Sequence, residues 1–224
     1  MSALVQSATQ VLETATARYS GRICLTCSFG GPSGIVLIDL LHQIDVNVPV
    51  HYLDTDLLFP ETHQLIDRIA DRYGIIPVAV KPALTLSEQA AEFGEALWTT
   101  DPDICCAIRK LSPHQALMRG YDAWITGIRR DQTLTRAEIE IFELDKNTGT
   151  TKISPLAHWT EADVWAYVRE HDLPVNALHE RGYPSIGCIP CTRAVGPKEA
   201  LRAGRWSDTG KTECGLHVQV THGQ

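Results

Sequence analysis

The chain contains 224 residues, of which 44% are hydrophobic and 21% are charged, and its formal net charge is −7. This composition is typical of a folded globular domain and excludes the collagen-like, mucin-like and disordered classes. No apolar run reaches the roughly 20 residues that a transmembrane helix requires, and the start of the chain lacks the basic and continuous apolar regions of a signal peptide. We therefore expect a cytoplasmic protein that binds no membrane, whose seven cysteines serve a metal or catalysis rather than disulfides.

Helical and strand-like patterns alternate along the sequence. In chain order they predict an amphipathic N-terminal helix with Leu4, Val5, Val11, Leu12 and Ala15 on one face, strand 22–29, helix 35–43, strand 48–53, helix 61–73, strand 75–80, helix 105–119, strand 123–126, a hairpin of 139–144 and 151–153, and helix 160–171. Alternating strands and helices indicate parallel βαβ units. We therefore predict an α/β fold with a doubly wound, mostly parallel sheet.

Several boundaries of these elements are marked by the sequence. Pro60 and Gly74 bracket the third helix, and Thr160 with Asp163 forms a capping box at the start of the last one. Gly196-Pro197 opens a polar segment. We place a domain boundary there, with an α/β domain over 1–195 and a mobile C-terminal tail over 196–224.

The segment Gly30-Gly31-Pro32-Ser33-Gly34 joins the first strand to a helix. Glycines let backbone N–H groups approach an anion at a helix N-terminus, and ligands of open α/β sheets bind at this edge. The segment is neither a Walker A loop nor a G-x-G-x-x-G fingerprint. It predicts a phosphate-type site, with a tight turn that binds nothing as the alternative.

Basic residues are concentrated in two segments of an otherwise acidic chain. Segments 105–136 and 193–211 contain eleven Lys or Arg residues and four acidic ones. Arg129, Arg130 and Arg136 follow the fourth strand, at the same edge of the sheet as the glycine loop. Guanidinium groups match phosphate and sulfate, so this pattern indicates a pocket for a small anion rather than for nucleic acid. A solvated basic surface is the alternative.

Four cysteines form two pairs that are far apart in sequence, Cys105-Cys106 and Cys188-Ile189-Pro190-Cys191. Adjacent cysteines suit two different irons of an iron–sulfur cluster, whereas zinc sites usually draw both pairs from Cys-x-x-Cys knuckles. Arg109 and Lys110 follow one helical turn later and would offset the negative charge of a cluster. The pattern favours a cluster, with zinc and free core cysteines as alternatives.

The other three cysteines have different surroundings. Cys214 lies in the polar tail after several basic residues, a setting that favours a reactive thiolate, although an incidental exposed thiol has the same pattern. Cys24 and Cys27 lie in the first predicted strand, where residues three apart face opposite sides. We therefore expect this pair to fill the core rather than to act as a redox dithiol.

Seven motifs in the same order as in a known family cover nearly the whole chain. They are 28–34, Leu53-Asp54-Thr55 with Phe59-Pro60-Glu61-Thr62, Cys105-Cys106-Ala107-Ile108-Arg109-Lys110, Thr126-Gly127-Ile128-Arg129-Arg130, Gly187-Cys188-Ile189-Pro190-Cys191-Thr192-Arg193, Arg202-Ala203-Gly204-Arg205-Trp206 and Glu213-Cys214-Gly215-Leu216-His217. With these motifs the chain resembles the assimilatory adenylylsulfate (APS) reductases of the sulfonucleotide reductase family.

The resemblance implies a Rossmann-like sheet of the adenine nucleotide α-hydrolase (PP-loop) type and one 4Fe–4S cluster per chain. The implied cluster ligands are Cys105, Cys106, Cys188 and Cys191. The implied catalytic residues are Cys214, Lys110 and His217. The implied substrate-binding residues are Gly30, Gly31, Ser33, Leu53, Asp54, Thr55, Arg129, Arg130, Arg136, Arg202 and Arg205.

The reaction implied by the resemblance has two stages. Cys214 attacks the sulfur of APS, which expels AMP and leaves an S-sulfocysteine; thioredoxin or a glutaredoxin-like reductant then releases sulfite. This chemistry belongs to sulfate assimilation and cysteine biosynthesis. It requires no nucleic acid, and a homo-oligomer is compatible with the sequence.

Two positions depart from the family pattern. The glycine loop lacks the acidic residue that many members have, and Asp56 stands where they have glycine.

Three rival functions are also compatible with the motifs. They are a reductase of the 3′-phosphorylated substrate PAPS or of both nucleotides, a PP-loop enzyme that thiolates or adenylates tRNA, and a zinc-stapled, non-catalytic nucleotide-binding module. The cysteine pairs argue against the first, and the loop and the Cys214 motif argue against the second.

Overall fold

The computed structural model describes residues 2–44, 47–207 and 209–217. Its α-helices are α1 (Ala3–Arg18), α2 (Pro32–Ile44), α3 (Pro60–Tyr73), α4 (Leu86–Phe93), α5 (Leu97–Thr100), α6 (Pro102–Cys106), α7 (Ser112–Met118) and α8 (Glu161–Glu170). Its strands are β1 (Ile23–Thr26), β2 (Val50–Leu53), β3 (Val78–Val80), β4 (Ala123–Ile125), β5 (Phe142–Leu144) and β6 (Thr151–Ile153).

The six strands form one sheet in the order β3-β2-β1-β4-β6-β5. Every neighbouring pair is parallel except β5 and β6, which form the predicted antiparallel hairpin. The strand order reverses direction on either side of β1, so the loops after β1 and β4 diverge at the carboxyl edge and leave a crevice there. The predicted α/β fold with a mostly parallel sheet is confirmed.

The two faces of the sheet are covered unequally. The larger core packs alternate residues of β1, β4 and β6, such as Leu25, Ile125 and Ile153, against helices α1, α2, α3 and α8. On the opposite face, Cys24 and Trp124 pack against Met118 of α7. Helices therefore lie on both faces, as a doubly wound sheet requires, but most of the apolar contact is on one of them.

Most predicted boundaries agree with the structure within three residues. Pro60 begins α3, and Gly74 ends it in the left-handed conformation with φ of 63°. The side chain of Thr160 accepts a hydrogen bond from the N–H of Asp163, whose carboxylate returns the contact to the N–H of Thr160, so the predicted capping box is present. Asp145 and Thr150 close the predicted hairpin.

Two predicted elements differ from the structure. The first strand ends at Thr26 rather than at residue 29, since Phe29 adopts a left-handed φ of 51° that no strand can contain. Cys27 therefore follows β1 instead of lying inside it, although it is buried in the larger core while Cys24 is buried on the other face. The two thiols thus occupy opposite faces, as expected.

The predicted helix 105–119 is not one regular helix. It consists of α6, a π-helical turn over Ala107–Leu111, and α7, which begins at Ser112-Pro113. Helices α4 and α5 were not predicted. Helix α5 has only four residues, whereas α4 carries a local signal, the capping box of Thr85 and Glu88 at its start.

The C-terminal tail folds back over the carboxyl edge of the sheet in its described part. A bridge joins Thr192 to Arg205, the N–H of Arg193 donates to the carbonyl of Gly204 over 2.9 Å, and Trp206 is buried. The tail therefore covers the domain rather than extending away from it. Within the described ranges, no helix is both long and apolar enough to cross a membrane.

Candidate active site

A cavity of about 240 Å³ opens at the carboxyl edge of the sheet. Its wall is formed by the loop after β1, the segment after β4, Lys110 of the π-helical turn and the C-terminal tail. These segments are distant in sequence, and the topology brings them together because parallel strands end at one edge. The cavity is therefore the place where a ligand can meet residues of all the predicted motifs.

The glycine loop lies at the N-terminus of α2 and contributes Gly30, Gly31 and Ser33 to the cavity. Gly30 has no room for a side chain, since a Cβ there would stand 2.5 Å from the carbonyl oxygen of Ile186. A Cβ at Gly34 would collide with the sulfur of Cys27. These close approaches require glycine, and they hold the loop's backbone against the cavity at a helix N-terminus.

Arg129 connects the glycine loop to helix α8. Its buried guanidinium donates hydrogen bonds to the hydroxyl of Ser33, to Asp131 and to Glu161. Two carboxylates thus surround its charge. Arg130 points elsewhere: its Nε donates to the carbonyl of Ile139 over 2.9 Å, and it does not line the cavity.

Arg136 and Arg202 meet one carboxylate of the tail, that of Glu213. Arg136 binds both oxygens, with Nε–Oε1 of 3.0 Å and Nη2–Oε2 of 2.7 Å, and Arg202 reaches Oε2 at 3.3 Å. Arg136 is 6% and Glu213 8% exposed. The ion pair is a bidentate, buried contact between the segment after β4 and the tail.

Lys110 and Arg205 differ from these arginines. Within residues 2–44, 47–207 and 209–217, neither side chain forms an ion pair with a carboxylate. Arg205 lies over the Trp206 ring at 4.4 Å, and its buried Nε has no hydrogen-bond partner in the same ranges. Both side chains line the cavity, so their positive charges are available to an anionic ligand.

Cys105, Cys106, Cys188 and Cys191 surround a second, much smaller cavity of about 10 Å³. All four are free thiols. Burial raises the pKa of Cys106 to about 12 and that of Cys191 to about 11. Burial also acts on Cys188, but the nearby Lys110 charge and a 3.3 Å hydrogen bond with the Thr55 hydroxyl outweigh it and lower its pKa.

Lys110 borders both cavities. Burial tends to lower its pKa, but Coulomb interactions with the sulfurs of Cys188, Cys214 and Cys106 outweigh that effect and raise it. Lys110 is therefore a cation held between the four clustered cysteines and the tail cysteine. The π-helical turn places it there, a distortion that is frequent at functional sites.

The described residues contain no group of three or more His, Cys, Asp or Glu side chains close enough to hold a single metal ion. The four thiols nevertheless face one space. Four thiols with no other ligand type are a donor set that iron–sulfur clusters use. The donor set therefore fits the iron–sulfur cluster that the resemblance implies.

The end of β2 supplies Leu53 and Thr55 to the main cavity, whereas Asp54 lies behind it. Asp54 forms an ion pair with Lys81 at 3.0 Å. Asp56 adopts a left-handed φ of 56°, which explains why the family has glycine here, and its carboxylate binds Arg109 at 2.6 Å. The aspartate thus keeps the backbone shape and neutralises an arginine beside the cysteines.

Cys214 and His217 line the main cavity on its tail side. The His217 ring stacks on Trp124 of β4 with centroids 5.8 Å apart and an 18° angle between planes. Burial, followed by the charges of Arg136 and Lys152, lowers the pKa of His217 well below its usual value. This ring is neutral at physiological pH and packs the tail against the sheet.

The structure brings most of the predicted site residues into two adjoining cavities. Those that line the main cavity are Gly30, Gly31, Ser33, Leu53, Thr55, Lys110, Arg129, Arg136, Arg202, Arg205, Cys214 and His217. The four paired cysteines line the small one, and Asp54 and Arg130 line neither. The sequence reasoning missed the parts played by Glu213 and Glu161, although the position of Glu213 beside Cys214 was a usable signal.

The fold and the cavities define an α/β class of protein in which a cysteine of the C-terminal tail and a glycine loop line one cavity at the carboxyl edge of the sheet. The family of the phosphoadenosine phosphosulfate reductase domain matches residues 22–194. The chain belongs to this family, and the predicted resemblance is confirmed.

Individual relatives agree with this assignment. A protein of Staphylococcus haemolyticus (strain JCSC1435) named adenosine 5′-phosphosulfate reductase is 48% identical over 95% of this chain and 88% of its own length. A crystal structure of phosphoadenylyl-sulfate (PAPS) reductase from Candida auris, a phosphate complex, is similar with a TM-score of 0.73 and 29% identity, over 84% of this chain and 90% of that one. Candida glabrata FMN adenylyltransferase in complex with ATP shares the fold alone, with a TM-score of 0.61 and 18% identity over 83% and 60% of the two chains.

Proposed function

We propose that this protein reduces adenylylsulfate to sulfite and AMP in assimilatory sulfate reduction, the route to cysteine biosynthesis. The observation that carries the proposal is that Cys214 lines the same cavity as the glycine loop and as Lys110 and Arg205, two cations that pair with no carboxylate of the described residues. A nucleophilic thiol, an anion-binding loop and free positive charge are the three elements that attack on a sulfated nucleotide requires. The names of the bacterial relatives support this substrate.

The first stage is nucleophilic substitution at sulfur. The thiolate of Cys214 forms an S–S bond to the sulfur of APS, and the bond between that sulfur and the phosphate oxygen breaks, so both bonding electrons leave with AMP. Negative charge develops on the departing phosphate. Lys110, Arg205 and the N–H groups at Gly30 and Gly31 are placed to stabilise it.

The second stage is thiol exchange. A dithiol reductant of the thioredoxin or glutaredoxin type attacks the Cys214 sulfur, sulfite leaves, and the resulting mixed disulfide is resolved by the second thiol of the reductant. The reductant supplies the two electrons, and the cysteine returns as a thiol. The protein's own redox change is thus confined to Cys214.

Cys105, Cys106, Cys188 and Cys191 are proposed to hold one 4Fe–4S cluster. Four thiols around one cavity, three of them buried and that of Cys191 half-buried, support this assignment, as does the cation Lys110 beside them. When bound, the cluster would tie segment 105–106 to segment 188–191 and add negative charge next to Lys110. Thr55 contributes a hydrogen bond to Cys188, which orients that ligand.

The substrate contacts proposed here follow from which groups face the cavity. Gly30, Gly31, Ser33, Lys110 and Arg205 would meet the phosphosulfate, and Leu53 with Thr55 would lie beside the nucleoside. Arg129 would act through Ser33, to which it donates a hydrogen bond. Asp54 and Arg130 would support the site from outside the cavity.

PAPS is the second candidate substrate, because both the family description and the Candida auris structure carry that name. The experiment that decides is anaerobic incubation of the purified protein with APS or with PAPS, without any reductant, followed by intact-mass measurement. We expect a mass gain of one sulfonate with APS and none with PAPS. A gain with PAPS alone would overturn the substrate, and no gain with either would overturn the reaction.

A further inference from the structure

Glu213, the residue before Cys214, accepts hydrogen bonds from four side chains of the described residues. Its carboxylate accepts both arms of the Arg136 guanidinium at 3.0 and 2.7 Å, and Arg202 at 3.3 Å. The hydroxyl groups of Thr133 and Thr135 stand at 3.3 and 3.5 Å from the same carboxylate. Three residues of the segment after β4 therefore hold the tail one residue from Cys214.

The tail is also fixed on the other side of Cys214 and further upstream. Gly215 has a left-handed φ of 92°, and a Cβ there would meet Leu111 of the π-helical turn at 3.1 Å. Upstream, Lys211 pairs with Asp103 of α6. The Glu213 contact is the only one of these in which buried charges meet in a bidentate geometry.

The charges of the cavity are divided by this contact. Arg136 and Arg202 share the carboxylate of Glu213, whereas Lys110 and Arg205 form no ion pair with a carboxylate in the described part of the chain. An anion that bound Arg136 directly would have to displace a buried, bidentate partner, and would leave the Glu213 carboxylate with Arg202, at 3.3 Å, as its remaining cation. Binding at Lys110 and Arg205 displaces no carboxylate of the described residues.

From these contacts we infer that Glu213 is a positioning residue for Cys214, and that Arg136 holds the nucleophile's segment through it rather than contacts the substrate. The inference reassigns one residue, Arg136, that the sequence resemblance gave to the substrate. It rests on the proposed function for the identity of the reaction, but the geometry concerns only the tail. Cys214 would stand over the cavity because its neighbour is clamped.

A positioning role for Glu213 predicts that its loss slows the formation of S-sulfocysteine but leaves the binding of APS nearly unchanged. Glu213→Gln keeps the size and the threonine contacts of the side chain but removes the charge that pairs with Arg136. We expect the single-turnover rate of S-sulfocysteine formation to fall by about tenfold or more, as for loss of a charged, buried hydrogen bond. In a Cys214→Ser background, we expect Glu213→Gln and Arg136→Gln each to change the Kd for APS by less than about threefold.

Two further measurements make the result specific. If Arg136 acts only through Glu213, the double variant Arg136→Gln/Glu213→Gln should slow sulfonation no more than the worse single variant, a non-additive result expected for one shared contact. Glu199→Gln is the control, because Glu199 forms a bidentate ion pair with Arg193 that is exposed and lies away from both cavities. It should leave the rate unchanged.

The opposite outcomes are equally definite. Weakening of APS binding by about tenfold in Arg136→Gln, with wild-type sulfonation in Glu213→Gln, would show that Arg136 binds the substrate and would overturn the inference. If the wild-type protein gains no sulfonate at all, the proposed function fails instead. The rate of Cys214 alkylation by iodoacetamide then still tests the clamp, which predicts faster alkylation in Glu213→Gln and in Arg136→Gln than in Glu199→Gln.

Discussion

The two cavities at the carboxyl edge of the sheet lie side by side and are built on different plans. The main cavity is lined by loop backbone, by cations and by one cysteine of the tail. The small one is lined by four cysteines, an arginine and apolar side chains. Lys110 and Cys188 border both. The same residue type therefore has two chemical settings only a few side chains apart.

The difference between the cavities lies in what surrounds the thiols. In the small cavity burial raises the pKa of Cys105, Cys106 and Cys191, and the neighbouring thiols add to this effect. In the main cavity Cys214 is the cysteine that the tail contributes, opposite the glycine loop, while Cys27 and Cys188 reach the wall from other segments. Four clustered thiols suit a metal cluster, whereas a cysteine that faces a glycine loop suits attack on a bound anion.

The largest effect is expected where the main cavity loses its only tail thiol. Cys214→Ser should abolish S-sulfocysteine formation and sulfite release, because a serine hydroxyl is a far weaker nucleophile. The small cavity should be untouched, so the variant should keep the brown colour and the visible absorption that the proposed 4Fe–4S cluster would give the protein. Intact mass after APS treatment and the absorption spectrum check both halves; sulfite release at the wild-type rate would contradict the assignment.

The second-largest effect is expected when the small cavity loses one of its four cysteines. Cys106→Ala should lose the visible absorption, the bound iron and sulfide, and with them the activity, because a cluster with three ligands is poorly held. The control is Cys24→Ala, which removes an equally buried thiol that packs against Trp124 and Met118. That variant should keep colour and activity. Full iron content in Cys106→Ala would rule out its role as a ligand.

The third effect concerns Lys110, the cation that borders both cavities. Lys110→Met keeps the length and removes the charge, and we expect sulfonation to slow by about ten- to a thousandfold, the range typical of a lost electrostatic stabiliser. Lys110→Arg should recover part of the rate, since it restores the charge. A Met variant that is as fast as the wild type would show that Arg205 and the loop suffice.

The smallest effect is one of stability and lies behind the main cavity. His114 is buried, its ring is 4.5 Å from that of Trp124, and burial lowers its pKa to about 4. Between pH 6.5 and 4 the unfolded chain therefore binds a proton that the folded one does not, and stability falls as the pH falls.

Replacing the His114 ring tests whether stability falls with pH for this reason. His114→Phe should make the fall in the free energy of unfolding between pH 6.5 and pH 4 shallower by up to about 3 kcal/mol, the value of a shift of this size. Urea unfolding followed by tryptophan fluorescence at several pH values measures it. The same slope in both proteins would mean that His114 is charged in the folded state, and activity at neutral pH serves as the control for an intact site.

Much of the fold could be predicted because its signals are local. The alternation of strands and helices, Pro60 at the start of α3 and the capping box of Thr160 each depend on neighbours within a few residues. Helix α5 is too short to show such a signal, and α4 was missed although the capping box of Thr85 and Glu88 marks its start. The end of β1 depended on the backbone angle of Phe29, which the identity of that residue does not reveal.

The site was predictable in composition but not in its connections. The motifs gave the cysteines, the glycine loop and the basic residues, and topology explains why they meet. Which carboxylate neutralises which arginine depends on contacts between distant segments. Arg136 and Glu213 are 77 residues apart, and no local pattern connects them. The exchange of glycine for Asp56 became understandable only once its left-handed backbone and its contact with Arg109 were seen.

The π-helical turn Ala107–Leu111 makes this arrangement unusually sensitive to chain length. A π-helical turn contains more residues than an α-helical one, so deleting a single residue there would allow regular helix to continue from α6 into α7. Such a wide turn holds one extra residue, so the helix on either side would keep its register, but Lys110 would take a different angle around the helix axis relative to Cys105 and Cys106. The position of Lys110 between the two cavities therefore depends on the number of residues in this turn as well as on their identity.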